Sequence, residues 1–305
     1  MIKGRLSVVI PNYNSPYASK TIQGVLDNAK GDIEVVVNVE QIWPDPLSED
    51  ARVHYIHGSA PIGMRAGINK AVAMSTGEFV MKCDDHVMFG EGFDEILKAD
   101  CEDNWVIVPR RYALDVENWK IEEREDNKYP VDYYRLDFPL KGKDHDWGIH
   151  GVEWKERRDT RNSPEFDVDE TMSMQGSCYF MKRSHFDNVI GELDSKIYGQ
   201  FSQEAQEIGF KTWLSGGKLM TNKKTWYAHL HKGSRYGRFY KMPAGTAEAS
   251  NTSAYYWMQN QWEKQTHDMK WFIDRFWPVP SWPENWQEVW NQQVKEGWPN
   301  IYERN

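Results

Sequence analysis

Cysteine is scarce: three residues in 305, Cys83, Cys101 and Cys178, far apart and odd in number. That excludes a disulfide framework, and the spacing fits no zinc site, so free thiols in a reducing compartment are expected. Long apolar runs are missing too. Nothing approaches the roughly 18 residues of a membrane-spanning helix, and Leu6 to Ile10 reads as a strand with no signal-peptide pattern before it. A soluble, cytoplasmic protein is the expectation. Positive charge is in deficit, with a formal net charge of -9. Bulk electrostatic coating of nucleic acid is therefore disfavoured, while a local basic patch stays open. No internal repeat is visible. No Gly-rich loop with lysine follows the first strand, which counts against a nucleotidyl- or phosphotransferase built on such a loop.

What is present is a full-sized chain with a patterned first third. Its length supports one large domain with an appendage, or two domains. Leu6–Ile10 is a continuous apolar run stopped by Pro11 and Asn12, as a buried parallel strand should be. Ala18–Leu26 reads as a helix with Ile22, Val25 and Leu26 inward. Residues 32–40 read as a second strand, Met64–Met74 as a small-residue helix, and Phe79–Cys83 and Trp105–Pro109 as further strands. Alternation at this spacing predicts an open α/β sheet with right-handed crossovers, whose ligands sit at the carboxyl ends of the strands. Asn12, Tyr13, Asn14, Glu40, Asp84, Asp85 and His86 all fall at such ends. Two carboxylates and an imidazole in a row repel or compete for protons unless a cation or ligand joins them. A hard divalent ion shared with a substrate's phosphates resolves that conflict, and a solvated acidic turn is the plain alternative.

Residues 110–170 read as an insertion or a set of loops. Met174–Lys182 returns as a strand, Phe201–Leu214 as a helix stopped by Gly216-Gly217, and Lys218–Thr221 as a short strand. From about Gly233 the chain becomes a tail rich in Trp, Gln and Asn, and eight of its 15 Trp fall between Trp257 and Trp298. Between Lys223 and Lys241 stand six basic residues (Lys223, Lys224, Lys232, Arg235, Arg238, Lys241) and no acid. Such a reversal of sign suits a loop over a departing diphosphate, a grip on a polyanionic acceptor, or a solvated positive loop. The Trp rings, partly at helical spacing, are expected to pack as core, with a sugar-stacking platform as the other use.

In this order the motifs resemble the glycosyltransferases of the GT-A fold, family-2-like, with a particular likeness to the polypeptide N-acetylgalactosaminyltransferases. Ser7-Val-Val-Ile-Pro-Asn-Tyr-Asn14 is similar to that family's first strand and nucleotide-binding turn. The run from Asn69 through Gly77-Glu78 to Asp84-Asp85-His86 resembles the approach to its metal motif, here Asp-x-His. Gly176, Glu204 and Phe210–Gly217 resemble the acceptor half, and Tyr227-Ala-His229 the late histidine that completes the metal site. Ile68 stands where the family commonly has arginine, with Arg65 one turn earlier on the same face. The likeness spans roughly residues 5–232.

The resemblance implies an α/β fold of GT-A type, a Rossmann-like open mixed sheet flanked by helices, with a Trp-rich C-terminal extension. Residues 1–232 would form the transferase domain, 1–110 as the nucleotide-sugar half and 111–232 as the acceptor half, with the basic loop and extension at 233–305. It implies a nucleotide-sugar donor, a UDP-sugar in first place, held by Pro11, Asn12, Tyr13, Asn14, Glu40, Arg65, Asn69 and Asp84. Lys232, Arg235, Tyr236 and Arg238 would close on its diphosphate. Asp84, His86 and His229 would bind Mn2+ or Mg2+, the imidazoles favouring Mn2+. Glu204 and Asp85 are the expected catalytic acids, Glu204 as general base for an acceptor hydroxyl. The acceptor could be a glycan, a protein or a hydroxylated base in phage-type DNA. A nucleotidyl- or phosphotransferase and a non-catalytic carbohydrate- or nucleic-acid-binding protein are the competing classes.

Overall fold

The computed structural model describes residues 1–123, 130–142, 146–231, 237 and 243–298. In chain order its first elements are β1 (Ile2–Asn12), α1 (Ala18–Asn28), β2 (Ile33–Val39), β3 (Val53–His57), α2 (Met64–Met74), β4 (Gly77–Cys83), β5 (Val87–Phe89) and α3 (Phe93–Ala99). The middle runs β6 (Trp105–Asp115), β7 (Lys120–Ile121), β8 (Tyr134–Leu136), β9 (Gly151–Glu153), α4 (Lys155–Thr160), β10 (Val168–Glu170), β11 (Cys178–Lys182), α5 (Arg183–His185) and α6 (Ser195–Tyr198). Then come α7 (Glu204–Leu214), β12 (Lys218–His229), α8 (Thr246–Met258), α9 (Met269–Phe276) and α10 (Trp286–Lys295).

The main sheet is ordered β3-β2-β1-β4-β11-β6-β12-β10. Its first four strands are mutually parallel, as their apolar, doubly covered sequences require. β11 runs antiparallel between β4 and β6, and β12 returns parallel to β6. The carboxyl ends of β1, β2, β4, β6 and β12 therefore share one rim. β5 then joins the far strands: it follows the turn after β4 and pairs antiparallel with β12, with Val87 opposite His229. That pairing brings the end of β12 next to the end of β4, although two strands separate them in the sheet.

In the first half β1, α1, β2, α2 and β4 fall where the sequence reading put them, with α2 at Met64–Met74, while β3, β5 and α3 were not read. The second half differs. β12 is 12 residues long where the pattern promised four, because its register shifts between Asn222 and Trp226. At that irregularity Lys224 turns outward to Asp100 at 2.9 Å, which interrupts the apolar alternation. β6 likewise continues to Asp115, and residues 130–170 contain the β8–β9 hairpin and the edge strand β10. The tail is helical, and its rings fill the same apolar core as the sheet. Trp257 stacks near Phe210 at 5.0 Å, and Phe276 meets Trp213 edge-on at 5.2 Å. The Trp282 indole N–H donates to Leu136 O at 2.7 Å. No helix among the described residues is long and apolar enough to cross a membrane.

Candidate active site

A cleft of about 1150 Å³ opens at the shared rim. Its floor is the turn after β4, which is pinned on three sides. Asp84 N–H donates to Ser177 O at 2.9 Å, and the Ser15 hydroxyl donates to Asp85 O at 3.2 Å. The Thr21 hydroxyl accepts from Val87 N–H at 3.0 Å. These three bonds, to separate segments of the chain, hold the turn in place.

Asp84, His86 and His229 converge there, with one ligand atom from each lying within 4.8 Å of the others. His229 Nε2 is 3.0 Å from His86 Nε2 and 3.2 Å from Asp84 Oδ2. His86 Nδ1 lies 2.7 Å from Asp85 Oδ1, which makes Nδ1 the protonated nitrogen and leaves the lone pair on Nε2. Burial drives the proton affinity of His229 down to about 3, so that ring is neutral. Burial alone would raise Asp84, but the Lys82 ammonium beside it holds its carboxyl well below the usual carboxylate range. Two ring nitrogens and one carboxylate oxygen within 4.8 Å of one another form a donor set for a divalent transition ion. His229 Nδ1 has no hydrogen-bond partner among the described residues, and Nδ1 must carry the proton if Nε2 binds a cation. The residues fit the ion.

Beside the triad stands a second charged unit. Lys82 Nζ donates to Asp84 Oδ1 at 2.7 Å and to Gly176 O at 2.6 Å, and lies 3.4 Å from Glu204 Oε1. Glu204 also accepts from the Tyr179 hydroxyl at 2.9 Å. Burial raises the proton affinity of Glu204 despite Lys82. Gly176 permits the approach, since a Cβ there would lie 3.0 Å from Glu204 Oε2. Gln203, just before Glu204, holds a positive φ of 58°, an uncommon conformation for a side-chain-bearing residue. Lys82 escaped the sequence reading, although a lysine inside an apolar strand was the available signal.

Pro11, Asn12, Tyr13, Asn14 and Glu40 all line the cleft. Asn12 Nδ2 donates to Ile42 O at 2.8 Å, which leaves Oδ1 without a partner among the described residues. Glu40 accepts from Gly63 N–H at 3.2 Å and so shapes the loop before α2. Arg65 and Asn69 do not line the cleft. Arg65 is 0 % exposed, pairs with Glu207, donates to Ser202 O at 2.6 Å and lies over the Tyr198 ring. Asn69 is occupied by the Leu193 backbone, donating to its carbonyl at 3.1 Å and accepting from its N–H at 2.8 Å. Asp85 also lines the cleft, with Oδ1 2.7 Å from His86 Nδ1. Lys232, Arg235, Tyr236 and Arg238 lie outside the described residues. Arg111, Tyr134, His150 and Gln203 also line the cleft. Arg111 sits just past Pro109, where the strand pattern had already stopped. None of the eight tail Trp lines the cleft among the described residues, in keeping with their reading as core.

The family model described as glycosyl transferase family 2 matches residues 7–190. Among solved structures, GalNAc-T7 with UDP, GalNAc and Mn2+ is similar at a TM-score of 0.64 and 14% identity, over 97% of this chain and 56% of that one. The chain thus spans little more than half of that structure's length. S. aureus TarS 1-349 in complex with UDP-GlcNAc is similar at a TM-score of 0.51 and 14% identity, over 85% of this chain and 68% of that one. No curated protein sequence matches. At such identities the structural likeness speaks for the fold.

Proposed function

This chain belongs to glycosyl transferase family 2 and has the GT-A fold, and on that premise we propose that it transfers a sugar from a UDP-sugar to an acceptor hydroxyl with the help of a divalent ion. The observation that carries the reading is the convergence of Asp84, His86 and His229 on one point of the cleft. The reaction breaks the bond from the anomeric carbon to the phosphate oxygen, forms one to the acceptor oxygen, and releases the acceptor's proton. Mn2+, or Mg2+, held by the triad would supply positive charge where the departing diphosphate gathers negative charge.

The chain's own side chains do the rest. Tyr13 offers a flat face to the nucleobase at the end of β1, and Asn12 Oδ1 offers an acceptor to its edge. Asp85 keeps the His86 lone pair on Nε2. Glu204 lies on the far side of Lys82 from the triad, where it accepts the proton of the acceptor hydroxyl or orients that hydroxyl. Its raised proton affinity suits a base, since a carboxylate at the ordinary value is a weak one at neutral pH.

The test is release of UDP from a panel of UDP-sugars with Mn2+, with and without chelator. Glycan, protein and hydroxylated-base DNA are offered in turn as acceptors. Wild type should turn over at least one donor in a Mn2+-dependent way, and His229→Ala should lose that response by about 100-fold or more. No hydrolysis and no binding of any donor would end this reading, as would a His229→Ala variant with its Mn2+ response intact.

A further inference from the structure

Asp84 is the one carboxylate of the triad, and its two oxygens are put to different uses. Oδ2 faces His229 Nε2 at 3.2 Å, while Oδ1 accepts from the Lys82 ammonium at 2.7 Å. Lys82 is 1 % exposed, so its charge is scarcely screened by water. The other two groups of the triad are imidazole nitrogens. Hard divalent ions are held chiefly by negative oxygens, and here the protein presents one, with a fixed cation on its far side. The other acids nearby do not make up the deficit. Asp85 is turned onto His86 Nδ1 at 2.7 Å, and Glu204 shares the same lysine at 3.4 Å. Arg111 adds a further positive charge to the cleft wall.

Resting on the function proposed above, we propose that Lys82 is a positioning residue that keeps the cation site electrically incomplete until the donor's diphosphate arrives. Lys82 engages one Asp84 oxygen and offsets its charge, so an ion held by the triad would draw further negative oxygens from the diphosphate. Ion and nucleotide diphosphate then bind as a pair, and the lysine sets how strongly each depends on the other. An ion held tightly without donor would gain little from the diphosphate. Lys82 prevents that state.

Mn2+ binding measured by electron paramagnetic resonance of the free ion, with and without UDP, tests this without recourse to activity. In wild type, UDP should tighten Mn2+ by about ten-fold or more, and Mn2+ should tighten UDP by the same factor, since the coupling is reciprocal. Lys82→Met should tighten Mn2+ in the absence of UDP by about ten-fold and shrink the coupling, whereas Lys82→Arg, which keeps the charge, should retain it. Removal of the lysine leaves Glu204 buried without its counter-charge. The double variant Lys82→Met, Glu204→Gln relieves that cost and should give the same loss of coupling. Equal Mn2+ affinity with and without UDP in wild type overturns the proposal and leaves the transferase reading standing. So does a folded Lys82→Met protein, single or double, with wild-type coupling. A wild type that binds no Mn2+ in either condition overturns both.

Discussion

At Asp85 a single hydrogen bond to His86 Nδ1 decides which nitrogen of the ring can bind an ion. Read from the chain alone, Asp85 is one of two adjacent acids at a strand end, and either could meet substrate. The fold gives them different partners: Asp84 meets His229 and Lys82, and Asp85 meets His86 Nδ1. Asp85→Asn keeps the shape but offers the ring an amide in place of an anion. The expected result is Mn2+ affinity in the presence of UDP weaker by about 10- to 100-fold with unfolding midpoint little changed, read by the same resonance titration. Unaltered affinity would return Asp85 to the list of substrate contacts. Arg65 shows the opposite case. A cation one turn before a family position suggested a donor contact, yet helix periodicity says which face a residue takes and not what lies against that face.

Among the elements, β12 carries the least legible part of the site. His229 can be found in the sequence as a motif, but its distance from His86 depends on the β5–β12 pairing and on the register shift between Asn222 and Trp226. Neither leaves a pattern in hydrophobicity. The tail helices were more open to reading, because aromatics at helical spacing usually face a core. Their rings differ sharply in burial: Trp257 is 0 % exposed and Trp277 is 40 % exposed. Trp257→Ala should cost about 3–5 kcal/mol in a urea titration by opening a cavity under Phe210, and Trp277→Ala should stay within about 0.5 kcal/mol. Similar losses at the two positions would contradict the packing described for the tail.

At the scale of the molecule, buried histidines tie stability to pH. His185 accepts or donates at 3.0 Å to the Thr212 hydroxyl, and burial lowers its proton affinity to about 4 from 6.5. The unfolded chain takes that proton at the ordinary value, so between about pH 6.5 and 4 it binds more protons than the fold, and stability falls as pH falls. In chelator-treated protein, His185 alone should remove about 2 kcal/mol between pH 7 and pH 5. His185→Gln, which keeps a partner for Thr212, should flatten the fall of Tm over that window. A slope unchanged in the variant would show that His185 is charged, or solvated, in the fold.

The alternation of β1, α1, β2, α2 and β4, the Asp-x-His turn at the end of β4 and the core role of the tail Trp were determined by the sequence alone. Each is a local matter: periodicity sets which face is buried, and a strand end in an open α/β sheet is already a place for a ligand. The ion triad, the Lys82 bridge from Asp84 to Glu204 and the withdrawal of Arg65 into a buried pair with Glu207 were decided by tertiary structure. They depend on which side chains meet across strands and helices far apart in the chain. Such meetings are set by register and packing, and no local pattern of residues encodes them.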